Sequence, residues 1–330
     1  MKFFHALALV ILATHAHADL AIYHLNVGMG DATLIVDTQA DKTLLVGAGN
    51  RSYGEKVVAK IIKKLGYSRI DYFVATNYDA YHIGGFDEII ETGIPFSVVY
   101  DRGNYTNRKL ENQRGNATQY GEYVRMAGAA RKKISLQNAS CNENDSKVFE
   151  FGEDTTIDVV AVAGAFTDKD CVTDKKEIKN NEDNDLSIAL VVRHGDFSYF
   201  IGGDLTGGGN DTTNMETAIA PAIGDIDVLK LNHHGSKTSS NKTFLNILRP
   251  EAIIISVGNK GANLRYGLPK QEVLDRVREI DTEPTVFLTN QGEGGTLKDA
   301  IVENGHIIIH TNGSSYTIND VVFSVDEAVE

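Results

Sequence analysis

The chain has 330 residues, of which 42% are hydrophobic and 23% charged, and 45 acidic residues outweigh 32 basic ones to give a formal net charge of −13. This composition supplies enough apolar material for a large core and excludes a disordered, collagen-like or coiled-coil chain. The acidic balance also excludes a generally basic surface for polyanions, so any contact with nucleic acid has to be local.

The N-terminus has the pattern of an export signal. A basic residue is followed by an apolar stretch over about residues 6–13, and Ala16 and Ala18 are small residues of the kind that a signal peptidase accepts. The apolar stretch is shorter than the roughly 20 residues that a membrane span needs. We therefore predict a signal peptide over 1–18 and a mature chain over 19–330. The protein is then secreted, extracellular or periplasmic, with no membrane attachment after cleavage.

The mature chain alternates strand and helix patterns in two blocks. In the first block, AIYHLNV, ATLIVDT, KTLLVGAG and RIDYFVAT predict strands. In the second, strands are predicted for TTIDVVAVAG, LSIALVVRHGDFSYFIGGDL with a turn at His194 and Gly195, IDVLKLNHHGS, EAIIISVGN, TVFLTN, HIIIHTNG and SSYTI. Apolar residues at helical spacing predict helices in YGEKVVAKIIKKLG and KQEVLDRVREI. With no linker between the blocks, this order predicts two packed sheets covered by helices in a single domain.

A polar region separates the two blocks. Residues 101–147 are rich in Asn, Arg and Lys, and we predict that they form a surface insertion of loop and short helix. The only two cysteines, Cys141 and Cys171, lie in the most polar part of the chain. In an oxidising compartment the default for such a pair is a disulfide that closes a surface loop. A metal site is the alternative, but it lacks the supporting C-x-x-C spacing.

Three segments place polar side chains directly after a predicted strand, where side chains converge on one edge of a sheet. They are TNYDAYHIGG (76–85), IGGDL (201–205) and NHHGSKTSSN (232–241). Of two adjacent imidazoles, His233 and His234, one can bind a metal while the other orients a ligand. The alternative is two histidines that only cap a strand by hydrogen bonds to the backbone. His82 and Asp204, at equivalent strand ends, favour the metal site.

These motifs together resemble the metallo-β-lactamase superfamily, and within it the branch typified by the extracytoplasmic hydrolase domain of the DNA-uptake protein ComEC. The matching segments, in chain order, are LNVGMGDATLI, LLVGAGN, TNYDAYHIGG, NDLSIAL, FIGGDL, LKLNHHGSKTSSN, RYGLP, TNQG and IIIHTNGSSYTI. The resemblance implies an α/β fold, an αββα four-layer sandwich of two mixed sheets flanked by helices. It also implies a site at the strand edges.

The resemblance further implies a binuclear centre, usually of zinc or manganese, in which a metal-bridging hydroxide attacks phosphorus or a carbonyl carbon. Carried over by position, the implied metal ligands are Asp79, His82, Asp204, His233 and His234. Asp204 and His234 would hold the attacking hydroxide and are the implied catalytic residues. Residues that could contact a phosphate are Ser236, Lys237 and Ser239.

Four positions depart from the family pattern. Asn77 replaces the first histidine of its metal motif and Tyr81 an aspartate, while Gly47 replaces a structural aspartate and Leu268 a histidine. A carboxamide is a poor zinc ligand, and a phenol coordinates only when it is ionised. We therefore expect a degenerate site that holds one zinc or manganese ion rather than two, or none. The surviving ligands would be Asp79, His82, Asp204 and one of His233 and His234.

Two functions of different class stay open. The first is a secreted metal-dependent hydrolase, ancestrally nuclease-like and now weakly active or active with a single metal. It would take nucleic acid or another phosphodiester in a local groove. The second is a catalytically inactive member of the family, reused as a secreted binding or effector protein. A hydrolase of small amides or esters has little support, because a fold alone does not transfer a substrate.

Overall fold

A computed structural model of the protein describes residues 19–103, 118–137, 141, 147–179, 183–259 and 266–325, so the predicted signal peptide over 1–18 lies outside it. The strands, in chain order, are β1 Leu20–His24, β2 Thr33–Asp37, β3 Lys42–Val46, β4 Ile70–Val74, β5 Phe96–Asp101, β6 Arg131–Lys133, β7 Thr155–Val162, β8 Ala165–Thr167, β9 Thr173–Lys175, β10 Ala189–His194, β11 Phe197–Ile201, β12 Gly207–Gly209, β13 Thr212–Asn214, β14 Val228–Lys230, β15 Ala252–Ile255, β16 Thr285–Leu288, β17 Ile301–Val302, β18 Ile307–Thr311, β19 Ser315–Ile318 and β20 Val321–Ser324. The α-helices are α1 Lys60–Lys64, α2 Ala80–Ile83, α3 Phe86–Glu91, α4 Gln119–Ala127, α5 Glu216–Ile223, α6 Lys242–Leu248 and α7 Gln271–Arg278.

Most of the described strands belong to two nine-stranded mixed sheets. The first has the order β20, β19, β18, β1, β2, β3, β4, β5, β6, and the second the order β17, β16, β15, β14, β11, β10, β7, β8, β9. In the first sheet the parallel run is β3 to β6. In the second it extends from β11 through β14, β15 and β16 to β17. In a parallel run the carboxyl ends of the strands share one edge, which brings side chains from distant parts of the chain together.

Hydrophobic side chains fill three spaces between four layers. Between the two sheets, Ile22 of the first sheet and Val159 of the second belong to one buried cluster. On the outer face of the first sheet, Ile62 of α1 packs in a second cluster together with residues of α3 and α4. On the outer face of the second sheet, Leu245 of α6 and Val277 of α7 pack in a third. The layer order is helix, sheet, sheet, helix, and the predicted αββα sandwich is confirmed.

Both predicted helices form, and one differs from the expectation. KQEVLDRVREI gives α7, which buries Val273, Leu274 and Val277 on the face that their spacing predicts. YGEKVVAKIIKKLG begins instead as a π-helical turn over Gly54–Ala59 and continues as α1. Val58 and Ile62, two of the apolar residues at helical spacing in this segment, are buried.

The polar region before the second block carries more regular structure than predicted. α4 covers the first sheet, and β6 pairs in parallel with β5 at the sheet edge, where its charged side chains remain accessible. Residues 104–117, 138–140 and 142–146 of the predicted insertion lie outside the described part of the chain. The predicted disulfide is confirmed, with 5.3 Å between the Cα atoms of Cys141 and Cys171. No helix among the described residues has the length and apolar character to cross a membrane.

Candidate metal centre

Four buried ionisable side chains meet where the two sheets face each other at their strand ends. Asp31 lies in the turn between β1 and β2, His82 in α2 shortly after β4, Asp204 after β11 and His234 after β14. One potential ligand atom from each lies within 4.8 Å of the others. Within the described ranges, this is the one group of three or more His, Cys, Asp and Glu that could hold a metal ion.

The two carboxylates lie on opposite sides of the two imidazole rings. Asp204 faces the Nε2 atoms, with Oδ2 at 3.0 Å from His82 Nε2 and Oδ1 at 3.5 Å from His234 Nε2. Asp31 faces the Nδ1 atoms, at 3.9 Å from His82 and 3.8 Å from His234. Asp31 also accepts a hydrogen bond from the buried ammonium of Lys230. An ion between the two Nε2 atoms would therefore take Asp204 as its third ligand, while Asp31 would act from behind the rings.

The hydrogen bonds of the rings indicate which nitrogens are open to a ligand. His234 Nδ1 lies 2.8 Å from the backbone oxygen of Ser256. A carbonyl oxygen only accepts, so Nδ1 carries the hydrogen and Nε2 presents a lone pair to Asp204. His82 Nδ1 lies 3.2 Å from the hydroxyl of Thr76. Outer partners of this kind fix the orientation of metal-binding histidines.

Burial and charge act in opposite directions on the ionisation of this group. Burial alone would raise the pKa of Asp204, but His82, His233 and His234 outweigh it and hold that pKa well below its ordinary value. Burial lowers the pKa of His234, so this ring stays neutral and keeps its lone pair. At His82, burial is outweighed by Asp204 and Asp31, which raise the pKa to about 9. A metal ion must therefore displace a proton from His82.

The donor set fits one metal ion. Two imidazole nitrogens and one carboxylate form the three-ligand set of catalytic zinc sites, which leave a fourth position open. Oδ1 of Asp204 is buried and has no hydrogen-bond partner among the described residues. It faces Nε2 of His234 at 3.5 Å, and two acceptors in such a position repel each other unless a proton or a metal ion lies between them. A single ion bound by His82, Asp204 and His234 satisfies both.

Two of the predicted ligands lie near this group but are not part of it. Asp79 caps α2, and its Oδ1 accepts a hydrogen bond from the backbone nitrogen of Tyr81 at 3.3 Å. The ring of His233 lies 6.5 Å from that of His234, centroid to centroid, and helps to lower the pKa of Asp204. Their roles as metal ligands stay predictions.

At three of the four positions where the chain differs from the family pattern, the side chain makes structural contacts. Asn77 is buried, and its Oδ1 accepts a hydrogen bond from the backbone nitrogen of Asp79 at 2.9 Å. The ring of Tyr81 packs edge-on against Tyr266, with 6.3 Å between the centroids. Leu268 is buried in the hydrophobic cluster on the outer face of the second sheet.

The fourth of these positions, Gly47, lies against the turn that carries Asp31. Gly47 has a φ of +72°, and a Cβ atom added to it would lie 2.4 Å from the backbone oxygen of Asp31. An aspartate therefore cannot occupy position 47 without displacing the Asp31 turn. Gly47 thus lies in close contact with the turn that carries Asp31.

The residues predicted to contact a phosphate follow the two histidines in one loop. Lys237 is exposed and Ser236 is half-buried, so both are accessible at the rim of the site. Ser239 is buried, and its hydroxyl donates to the backbone oxygens of Asn232 at 2.8 Å and Ser236 at 2.9 Å. Its hydroxyl thus holds the loop together in this structure.

Asp31, Thr76 and Ser256 were not predicted from the sequence as members of the site. Asp31 does carry a signal, because it ends the glycine-rich turn GMGD directly after a strand and lies in a segment that resembles the family. Thr76 begins the segment TNYDAYHIGG and could have been found in the same way. Ser256 contributes only a backbone oxygen, which no side-chain motif can reveal.

Comparison with known proteins gives distant relatives. No family model matches the chain. The chain is 25% identical over 298 residues to ComE operon protein 3 of Bacillus subtilis, covering 83% of this chain and 33% of that protein. It is 26% identical over 262 residues to Competence protein ComA of Neisseria gonorrhoeae, covering 79% and 30%. It therefore spans about a third of the length of these curated relatives.

Among solved structures, CmlA, a diiron β-hydroxylase from Streptomyces venezuelae, has 14% identity and a TM-score of 0.45, covering 82% of this chain and 52% of that one.

The four layers, with a His and Asp group at the strand ends, agree with the fold and the site position that the resemblance to the metallo-β-lactamase superfamily implies. The two relatives match 83% and 79% of this chain. The resemblance predicted from the motifs is confirmed by these two relatives.

Proposed function

We propose that the protein is a secreted hydrolase of phosphodiesters that works with one metal ion held by His82, Asp204 and His234. One observation carries the proposal: the Nε2 atoms of both histidines converge on the carboxylate of Asp204 in a buried site, and Oδ1 of that carboxylate has no hydrogen-bond partner in the described part of the chain.

The residues have distinct roles in this proposal. His82 and His234 supply imidazole ligands and Asp204 supplies a carboxylate, while Thr76 and the backbone oxygen of Ser256 hold the rings in place. A bound ion in such a site supplies Lewis acidity and lowers the pKa of water to about 7. Asp31, which is paired with Lys230, lies behind both rings, 3.9 Å from His82 Nδ1 and 3.8 Å from His234 Nδ1.

A phosphodiester substrate is supported by the loop that follows the histidines. Lys237 is exposed and Ser236 is accessible beside His234, so an ammonium and a hydroxyl are available to an anionic group. The similarity to two competence proteins supports nucleic acid as the substrate class. The net charge of −13 favours contact through this local surface over nonspecific binding. Secretion is supported by the pattern of residues 1–18 and by the disulfide, which is typical of an oxidising compartment.

Two measurements test the proposal. Elemental mass spectrometry of the purified protein should find about one zinc or manganese ion per chain. Hydrolysis of bis-p-nitrophenyl phosphate and of single-stranded DNA should then depend on zinc or manganese and be lost in His234→Ala. His310→Ala is the matched control, because His310 is exposed on β18. A wild-type protein that binds metal and hydrolyses neither substrate contradicts this activity.

A second function is favoured by a separate observation. The side-chain oxygen of Asn77 accepts a hydrogen bond from the backbone nitrogen of Asp79, and Tyr81 packs against Tyr266. The residues at the positions that would hold a second ion therefore make structural contacts instead. An inactive protein that uses the same fold for binding would show this pattern. It predicts no hydrolysis with any metal, which the assays above measure directly.

A further inference from the structure

The loop that carries His234 has a strained backbone. His233 (φ 48°, ψ 41°) and His234 (φ 53°, ψ 26°) both adopt the left-handed conformation, which is unfavourable for a residue with a side chain. Gly235 continues in the same region with a φ of +73°. Such a run persists only when the surrounding structure holds both ends of the loop.

Glu216, the first residue of α5, holds both ends. Its Oε1 accepts hydrogen bonds from Asn232 Nδ2 at 2.9 Å and from the backbone nitrogen of Ser240 at 2.6 Å. Its Oε2 accepts from the backbone nitrogen of Asn241 at 2.8 Å and from Asn241 Nδ2 at 3.1 Å. Asn232 precedes the two histidines, and Ser240 and Asn241 follow them. One carboxylate thus joins the start of the loop to its end.

The chemistry of position 216 requires a carboxylate. Four N–H donors converge on two oxygens, and only an ionised carboxyl group accepts at both without a hydrogen of its own. A glutamine would turn its amide hydrogens towards one of these pairs of donors. Glu216 is buried, which raises its pKa to about 7, so the ionised form that accepts at both oxygens predominates above that pH. Arg276 of α7 is the charged side chain that favours its ionised form, and Arg276 also donates to the backbone oxygen of Ser239 at 3.0 Å.

We propose that Glu216 is the positioning residue of the metal site: it holds the strained loop so that Nε2 of His234 faces Asp204. Glu216 does not belong to the four-residue group that could hold the ion, so it acts through the loop. This inference rests on the proposed metal-dependent function for its effect on metal affinity. Its effect on the orientation of His234 does not depend on that function.

The test compares Glu216→Gln with wild type by two readouts. The first is the ring ¹⁵N NMR spectrum of the metal-free protein, in which His234 is assigned with His234→Gln. Wild type should show the Nδ1-protonated form, held by Ser256, and Glu216→Gln should lose that signature. The second is the affinity for Co²⁺, measured by competition with a chromophoric chelator. It should fall about 10- to 100-fold, the range for partners that orient metal ligands.

Matched variants separate positioning from general destabilisation. Glu279→Gln removes an exposed carboxylate that accepts from Lys242 Nζ at 2.8 Å, and it should leave both readouts unchanged. Glu216→Asp keeps both oxygens and should restore part of the ring signature and of the Co²⁺ affinity. It also serves as the test variant if Glu216→Gln does not fold, and it should then show a smaller change of the same kind.

The outcomes distinguish the two proposals. An unchanged His234 signature in a folded Glu216→Gln protein, or in Glu216→Asp where that variant replaces it, overturns the role of Glu216 whatever happens to Co²⁺ affinity. If wild type binds no Co²⁺ while the signature still depends on Glu216, the positioning role stands and the metal-dependent function fails.

Discussion

The two sheets contribute unequal halves of the candidate site. The first sheet supplies Asp31 and His82, and beside them Asn77 and Tyr81 make a local hydrogen bond and a packing contact. The second sheet supplies Asp204 and the loop over 232–241, in which a left-handed backbone is held by a buried carboxylate.

The difference indicates which half is still maintained for function. A strained backbone and a buried charge both oppose folding, so they are expected to persist where they serve a site. The second-sheet half keeps both. The first-sheet half has a buried charge in Asp31 but lacks the left-handed loop, and its His82 lies 3.0 Å from Asp204. The comparison therefore supports one metal position, with two of its three proposed ligands, Asp204 and His234, supplied by the second sheet.

The largest expected effect is at Asp204, where both halves meet. Asp204→Asn replaces one carboxylate oxygen with an amide nitrogen, which is not a metal ligand, and should lower metal affinity by more than about 100-fold. Competition with a chelator measures it. Asp174→Asn on the exposed strand β9 is the matched control and should bind metal like wild type. Tight binding that survives Asp204→Asn would place the ion elsewhere.

The second prediction restores the first-sheet half. Asn77→His combined with Tyr81→Asp returns two ligand types to the positions that lost them, and metal content should rise from about one to about two ions per chain. Elemental mass spectrometry measures the stoichiometry, and hydrolysis should increase if the pocket is otherwise intact. A wild-type protein that already holds two ions tightly would refute the contrast between the halves.

The third prediction separates the site from the fold around it. Cys141→Ser with Cys171→Ser opens a loop with a sequence separation of 30, and this should lower the free energy of unfolding by roughly 3–4 kcal/mol. Metal affinity should not change, because neither cysteine is in the four-residue group. Urea unfolding and chelator competition measure the two quantities. Two reactive thiols in the unreduced, denatured wild type would show that the bond does not form.

The fourth prediction concerns the pH dependence of the second-sheet half. Burial raises the pKa of Glu216 from 4.5 to about 7. The hydrogen bonds to its carboxylate and the charge of Arg276 act in the opposite direction but are outweighed. Below pH 4.5 the group is protonated in both folded and unfolded chains. Between pH 4.5 and 7 the unfolded chain loses this proton first, so the stability of the metal-free protein should fall by about 3 kcal/mol as pH rises through this window.

Urea unfolding at several pH values in the presence of a chelator measures this dependence. Glu216→Gln should remove that part of the pH dependence, whereas Glu279→Gln should keep it. If the free energy of unfolding changes with pH equally in wild type and in Glu216→Gln, Glu216 has the same pKa in the folded and unfolded chains.

Several features of the protein could be predicted from its sequence because they depend on local pattern. The spacing of Val273, Leu274 and Val277 gives α7 its buried face, and apolar runs give the central strands. His82, Asp204 and His234 could be placed together because each follows a strand. Short elements such as β6, β17 and β20 escaped prediction, since their few residues gain order mainly from pairing with a neighbouring strand.

Only the tertiary structure decided how the site is arranged. No spacing shows that Asp31 lies behind the rings while Asp204 lies in front of them, because this depends on the hydrogen bonds that the two rings make with the Thr76 hydroxyl and the Ser256 backbone oxygen. The sequence identified residue types and strand ends, which are local properties of the chain. The orientation of a ring, and the carboxylate of Glu216 that holds the loop, follow from contacts between segments far apart in sequence, and those contacts exist only once the two sheets have packed.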